Sequence, residues 1–333
     1  MSELRQDLTS GDWVIIAPGR SKRPRSLGTK NKTRKPSPKS GCPFEDLEKT
    51  GNWPPIAAYP TEKKWQIVLL PNKYPALVHD ETMHCSGPQA HGIYRFQEGI
   101  GYHDLVVTRD HNKNFAEISP ALAASLFDVF QERHRTMAKD PCNAYTVTFF
   151  NWGISVGGSI WHPHYQILTL PIVPPHITRS LKGSEEYFQK NHRCVRCDMI
   201  REECAYKKRI IAENESAIAF TPYASKSPFE VAIFPKTHIP TFGETPTNIL
   251  HGTAELLQVV LRRIKKYVAD PDLNFFIHGA PFDHGKYSYH HWHIEVVPRI
   301  SVFGGFEYST EIDINMVDPD VAAALLRGEK IKD

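Results

Sequence analysis

Five features occur twice in this chain, in the same order. That duplication constrains the fold more than any single motif. Residues 42–171 open with the run Cys42 to Glu45, and residues 194–298 open with the run Cys194 to Cys197. A strand-like apolar segment follows in each, ending in a lone histidine, His111 or His238. A helical pattern comes next. The first starts at Ser119 and Pro120, a cap followed by a first-turn proline, and carries Leu122, Leu126, Phe130 and Met137 on one face. The second carries Leu250, Leu257, Leu261, Ile264 and Val268. An apolar strand and then a strand with alternating histidines close each half. The closing histidines are His162 and His164 in one half and His291 and His293 in the other. The lone histidine precedes the closing pair by 51 residues in the first half and 53 in the second. Two copies of one α+β unit are expected, each an antiparallel meander with a helix packed across it. Residues 1–175 and 176–333 are the expected domains, with residues 172–193 as the link.

A chain of 333 residues has room for two such units. With 41% hydrophobic and 23% charged residues it can bury a core, which excludes disorder as the main state. No apolar run approaches the roughly 20 residues of a membrane-spanning helix. The N-terminal residues carry no signal-type apolar stretch. A cytoplasmic protein with reduced thiols and no membrane partner is therefore expected. Nine basic and no acidic residues lie between Arg20 and Lys39. Without them the remaining Lys and Arg are fewer than the 37 acidic residues. This is not the evenly basic surface of a nucleic-acid binder.

The run from Gly157 to Pro171 carries the most chemistry. Period two places His162, His164 and Gln166 on one strand face. Gly157, Gly158 and Ser159 form a tight turn just before it. There the backbone can approach a ligand closely and its N–H groups can hold an anion. A neutral imidazole beyond such a turn is placed to attack phosphorus. Elsewhere, Cys194 and Cys197 have the spacing of zinc ligands, and the repeat supplies His238 and His291 to complete four.

These residues resemble the galactose-1-phosphate uridylyltransferase branch of the histidine-triad superfamily, which reads His-Pro-His-x-Gln after Gly-x-Ser. Segments around Arg20 and Arg23, Asn72, Asn151, His278, and Phe306 with Glu307 are also similar. The resemblance implies two histidine-triad-like repeats, with His164 as the covalent nucleophile. It implies phosphate contacts for Gln166, Ser159, Arg20 and Arg23. Asn72 and Asn151 are implied to hold the nucleotide, and Phe306 and Glu307 the hexose. It also implies a homodimer whose partner chain completes the sugar site.

Some members complete a zinc site with the residues that correspond to Cys194, Cys197, His238 and His291. Others use carboxylate and histidine ligands, which would involve His278, His291 and His293. The family's first-half site has two cysteines, whereas here the set is Cys42, Glu45, His111 and His162. Glutamate is an acceptable zinc ligand, so Cys-Glu-His-His is chemically possible. One zinc per chain is expected in the second half, and a second only if this altered set holds an ion.

The implied reaction is uridylyl transfer between UDP-glucose and galactose 1-phosphate. Lys73, where members often have aspartate, leaves open a second reading, an ADP-glucose phosphorylase using inorganic phosphate. A third reading is a zinc-stabilised nucleotide- or RNA-binding module without turnover, resting on the Arg20–Lys39 segment.

Overall fold

The computed structural model describes residues 1–22, 36–79, 82–283 and 285–330. Strands β1 (Glu3–Gln6) and β2 (Trp13–Ile16) form an N-terminal hairpin. Strands β3 (Ala57–Tyr59) and β4 (Ile67–Pro71) follow, then an exposed hairpin of β5 (Gln89–His91) and β6 (Tyr94–Phe96). The half continues with β7 (Tyr102–Thr108), helix α1 (Pro120–Met137), β8 (Tyr145–Trp152) and β9 (His164–Leu170). Helices α2 (Pro175–Asn191) and α3 (Val195–Tyr206) lead into the second half. That half contains β10 (Ile210–Glu213), β11 (Ala217–Phe220), β12 (Val231–Pro235), α4 (Thr247–Tyr267), β13 (Leu273–His278) and β14 (His293–Pro298). Helix α5 (Gly305–Thr310), strand β15 (Asp313–Asn315) and helix α6 (Pro319–Arg327) end the fold. Strand β15 returns to pair in parallel with β2.

Ten strands make one antiparallel sheet in the order β10-β11-β12-β14-β13-β8-β9-β7-β4-β3. Reading outward from the β8–β13 seam, the two halves run through equivalent strands: β9, β7, β4, β3 on one side and β14, β12, β11, β10 on the other. The sequence duplication is therefore a structural one, and the seam fuses its copies by backbone hydrogen bonding from Leu273 opposite Trp152 to Ile277 opposite Thr148.

Side-chain alternation divides this sheet into two faces. Phe150, Tyr165, Ile167, Phe275, Ile277, Ile294 and Val296 face α1 and α4 in one continuous core. Both helices follow from the sequence. Ser119 caps α1, its Oγ accepting from the Leu122 N–H at 3.2 Å. Leu126, Phe130 and Met137 are buried, as are Leu250, Leu257, Leu261 and Ile264 of α4. The opposite face carries the polar strand residues and is covered locally. In the first half Phe44, Leu47 and Trp65 pack on Val68, Leu70, Leu105 and Val107. In the second half α2 packs through Ile177 and Leu181 against Tyr145 and Tyr289.

The expected link at 172–193 is mostly helix α2. Its inner face is Ile177, Ser180, Leu181 and Ser184, which has helical spacing but only two apolar members. The serines are there because Arg196 is buried beneath them, donating to Ser184 Oγ at 3.2 Å and Ser180 Oγ at 3.0 Å. A hydropathy pattern cannot register a helix whose buried stripe is half hydroxyl.

Candidate active site

The connection from β8 to β9 sets the site. Gly153 and Gly157 have φ of 110° and 87°, a region that favours glycine. A Cβ on Gly158 would lie 2.8 Å from both the Asn151 and Gly153 carbonyl oxygens, so the chain closes on itself there. Asp272, just ahead of β13, accepts from the Ser155 N–H at 2.9 Å and its hydroxyl at 2.7 Å, anchoring the turn to the second half. The N–H groups of Gly157, Gly158 and Ser159 donate to Ile154, Gly153 and Gly157 carbonyls within the turn. They hold the turn's own shape, which differs from the expectation that they face an anion. The exposed Ser159 hydroxyl remains as the turn's polar side chain.

Beyond the turn, His162, His164 and Gln166 share one face. His164 is 8% exposed, and its Nδ1–H donates to the His162 carbonyl at 3.0 Å. That bond fixes the tautomer and leaves the Nε2 lone pair outward. Burial pushes the imidazole below its ordinary value of 6.5, so it is neutral at neutral pH. The Phe44 ring packs against it at 5.4 Å between centroids.

Gln166 is oriented by a residue that sequence reasoning missed, His103 on β7. The Ala76 N–H donates to His103 Nδ1 at 3.1 Å, which puts the ring proton on Nε2. That proton is donated to Gln166 Oε1 at 2.9 Å. The Gln166 carbonyl is thereby occupied and its NH2 is left to donate. Asn72 joins the same group. Its N–H donates to the His103 carbonyl at 2.9 Å, its Oδ1 accepts from the Tyr74 N–H at 2.9 Å, and its Nδ2 lies 3.1 Å from His103 Nε2. Period-two counting back from Val107 and Leu105 would have placed His103 on this face.

Asn151 stands at the seam, its Oδ1 accepting from Asn274 Nδ2 at 2.8 Å. Arg20 lies in a 3-10 turn after β2, with a buried Nε that has no hydrogen-bond partner among the described residues. Arg23 lies outside the described residues. Phe306 is half-exposed on α5, and Glu307 Oε2 accepts from the Gly304 N–H at 2.9 Å, capping its own helix. Within one chain Glu307 thus serves as a helix cap.

Two clusters bring candidate metal ligands together: Cys42, His111 and His162 in the first half, with Glu45 beside the histidines, and all four expected residues in the second. In the first half, Glu45 Oε1 lies 3.1 Å from His111 Nδ1 and 3.6 Å from His162 Nδ1, and Cys42 Sγ lies 3.5 Å from His162 Nδ1. Among the described residues, the buried Glu45 Oε1 and His111 Nδ1 make no hydrogen bond beyond this approach to each other. Both imidazoles donate Nε2–H to carbonyls, His111 to Ser37 at 2.8 Å and His162 to Thr108 at 2.7 Å. This turns both Nδ1 lone pairs toward one centre, the usual way a protein orients histidine ligands.

In the second half, ligand atoms of Cys194, Cys197, His238 and His291 lie within 4.8 Å of one another. His238 Nε2–H donates to the Ser288 carbonyl at 2.8 Å, leaving its Nδ1 3.3 Å from Cys197 Sγ. Hydrogen bonds from Cys197, and then from His238 and His291, pull the Cys194 thiol far below its ordinary range. The alternative histidine and carboxylate set is divided. His291 stands with the cysteines, while His278 and His293 lie 3.6 Å and 3.4 Å from the carboxylate of Glu295.

Cys85 and Cys142 are joined by a disulfide, where reduced thiols were expected. Their separation of 57 residues matches no motif, and the fold of the β4–β7 connection brings them together. Among the described residues no helix is long and apolar enough to cross a membrane.

This architecture is shared along the whole chain with nucleotidyltransferases. The chain superposes on the Arabidopsis thaliana ADP-glucose phosphorylase, solved with bound ADP-glucose, with a TM-score of 0.83, 28% identity and coverage of 99% and 100%. A solved uridylyltransferase gives a TM-score of 0.75 at 26% identity, covering 98% of each chain.

By sequence, the ADP-glucose phosphorylase of Arabidopsis thaliana is 32% identical over 330 residues, 98% of this chain and 92% of that protein. The galactose-1-phosphate uridylyltransferase of Thermotoga maritima is 27% identical across the full length of both. The family model for the N-terminal domain of galactose-1-phosphate uridyl transferase matches residues 1–174. A domain of unknown function, DUF4921, matches residues 89–327. The chain therefore belongs to the galactose-1-phosphate uridylyltransferase family and is a nucleotidyltransferase.

Proposed function

We propose that the chain moves a nucleotidyl group from a nucleotide sugar to a phosphate acceptor through a covalent intermediate on His164. His164 Nε2 attacks the α-phosphorus, a P–N bond forms, and the P–O bond to the sugar 1-phosphate breaks. An oxygen of the acceptor phosphate then attacks the same phosphorus and breaks the P–N bond. The observation that carries this reading is the neutral, buried imidazole whose one free nitrogen is aimed by the His162 carbonyl.

The amide of Gln166 fits transfer. Its NH2, directed by His103, can donate to a phosphoryl oxygen through both steps. It cannot protonate a leaving group, and a sugar phosphate with a second pKa of about 6 needs little protonation. His293 has the same backbone bond, Nδ1–H to the His291 carbonyl at 3.2 Å. Glu295 stands beside it, however, and a carboxylate there repels phosphate. Burial raises the Glu295 pKa, but His278 and His293 more than offset it and keep the group ionised. This supports His164 over His293 as the nucleophile. Arg20, Arg23, Asn72, Asn151, Ser159, Phe306 and Glu307 are proposed to hold the substrates, with the turn Gly157–Gly158 shaping their approach.

Two donors fit this chemistry. Uridylyl transfer between UDP-glucose and galactose 1-phosphate follows from the family. Adenylyl transfer from ADP-glucose to inorganic phosphate is favoured by the 32% identity to the plant phosphorylase. Assaying both donors side by side, with galactose 1-phosphate and with phosphate, decides between them.

Zinc is the proposed ion for both clusters. Four protein ligands leave no open position, so such an ion adds to folding and takes no part in bond making. In the first half it would hold His162, whose carbonyl aims His164.

His164→Ala should lower turnover by at least about 10⁴-fold, whereas His293→Ala should retain it. Protonated His164 cannot attack. Its lowered pKa therefore moves the acid limb of single-turnover nucleotidyl transfer below pH 6.5. A limb centred above that value contradicts the assignment.

His103→Phe keeps the ring but loses the donor that pins Gln166. It should reduce kcat by about 10²-fold with the donor KM little changed, and His103→Gln should recover part of the loss. Unchanged kcat in His103→Phe would separate His103 from the phosphoryl group.

Cys197→Ser should lose about one zinc per chain and melt at a lower temperature. Its folded fraction should still carry out the transfer. Glu45→Ala tests the first-half set. Metal analysis of protein made without added zinc reads both, and wild-type zinc in Cys197→Ser would refute the second-half site.

A further inference from the structure

A third cluster lies where the segment after the Asn72 loop meets the turn between α1 and β8, and the transfer chemistry does not use it. Cys85 and Cys142 are bonded there. Ligand atoms of His79, Asp140 and Cys142 lie within 4.8 Å of one another. Asp140 is held on both oxygens, Oδ1 accepting from the Cys142 N–H at 2.9 Å and Oδ2 from the Tyr102 hydroxyl at 2.9 Å.

That hydroxyl has only one proton, and Asp140 takes it. Toward His79, 3.1 Å away at Nδ1, the Tyr102 oxygen therefore accepts. With Nδ1–H donated to Tyr102, the second ring nitrogen, Nε2, faces Asp140 Oδ2 3.2 Å away, a contact in which a metal ion would take the place of a shared proton. The imidazole is further fixed by stacking on Tyr102 at 4.7 Å between centroids. An oriented imidazole nitrogen, a carboxylate oxygen and the Cys142 sulfur thus converge, and the Cys85 sulfur is bonded to the last of these. The His79 and Asp140 side chains are 15% and 18% exposed, which leaves the cluster open to small reactants.

We propose that this is a redox-gated zinc site: reduction of the Cys85–Cys142 bond opens a third metal position, with both thiolates, His79 Nε2 and an Asp140 oxygen as ligands. The S–S bond takes two electrons from a dithiol, which becomes a disulfide and supplies the two protons, or from a phosphine, which becomes its oxide while water supplies the protons, to give two thiols. Zinc then displaces both thiol protons. Two sulfurs, one imidazole and one carboxylate form a donor set that suits tetrahedral zinc, while oxygen-seeking magnesium and calcium would not select it. Either the covalent bond or the ion ties the same two chain segments. The connection that carries Asn72 would then stay fastened beside Tyr102 and His103 in both redox states.

The test counts zinc per chain in the full-length protein, equilibrated with chelator-buffered zinc under a phosphine reductant and, separately, after oxidation. Reduced wild type should hold one zinc more than reduced Cys85→Ser. His79→Phe retains the stacked ring and both cysteines. Its oxidised form should still show the Cys85–Cys142 peptide by mass, establishing the fold, while its reduced form should also lack one zinc. Equal zinc in the reduced wild type and either variant overturns the proposal, as does oxidised wild type without the disulfide-linked peptide. The readout is metal and thiol state, so it stands or falls separately from the reading of His164.

Discussion

One hydrogen bond organises the candidate site, the donation from His164 Nδ1–H to the His162 carbonyl at 3.0 Å. An imidazole has two nitrogens, and nucleophilic attack needs one of them unprotonated and outward. Spending the proton on a main-chain carbonyl two residues earlier achieves this inside a single strand. The surroundings then serve that bond. The Gly153–Ser159 turn delivers the chain to β9, Phe44 and the strand neighbours keep His164 buried, and burial keeps it neutral. The His162 ring is itself oriented by donation to the Thr108 carbonyl, and it lies beside Cys42, Glu45 and His111 next to the peptide that does the aiming.

The duplicated fold sets the proposed nucleophile beside a near-equivalent residue in the other half. His164 and His293 occupy equivalent strands, and each donates to the carbonyl of the histidine two residues before it. The difference lies two positions further on, Gln166 against Glu295. An amide held by a neighbouring imidazole offers a donor to an anion. A carboxylate between two imidazoles offers a charge that repels one. The halves are then joined where this matters, at the β8–β13 seam, with Asp272 of the second half gripping the turn of the first. The second half thus holds the turn that leads into the strand of His164, the proposed nucleophile.

Much of this was legible in the sequence because it depends on local period and spacing. Alternation put His162, His164 and Gln166 on one face, and the Ser119–Pro120 cap marked α1. The spacing of Cys194 and Cys197, set against the repeat, found His238 and His291. What was not legible depends on partners distant in sequence. His103 matters through Ala76 and Gln166, and nothing around it marks it. Helix α2 hides because Arg196 requires serines on its buried face. The β8–β13 pairing and the Cys85–Cys142 bond are tertiary facts with no local signature. The turn at Gly157 and Gly158 was found, but its N–H groups close on its own carbonyls, a detail that residue types do not determine.

The central claim is that His164 carries the nucleotidyl group. The direct measurement is peptide mapping by mass spectrometry under alkaline conditions, which preserve a phosphoramidate, after the protein meets UDP-glucose or ADP-glucose without acceptor. The account predicts one nucleotide monophosphate on the peptide containing His164, none on the peptide containing His293, and release when acceptor phosphate is added. A protein that turns over with no adduct on that peptide, or with the adduct elsewhere, would contradict it.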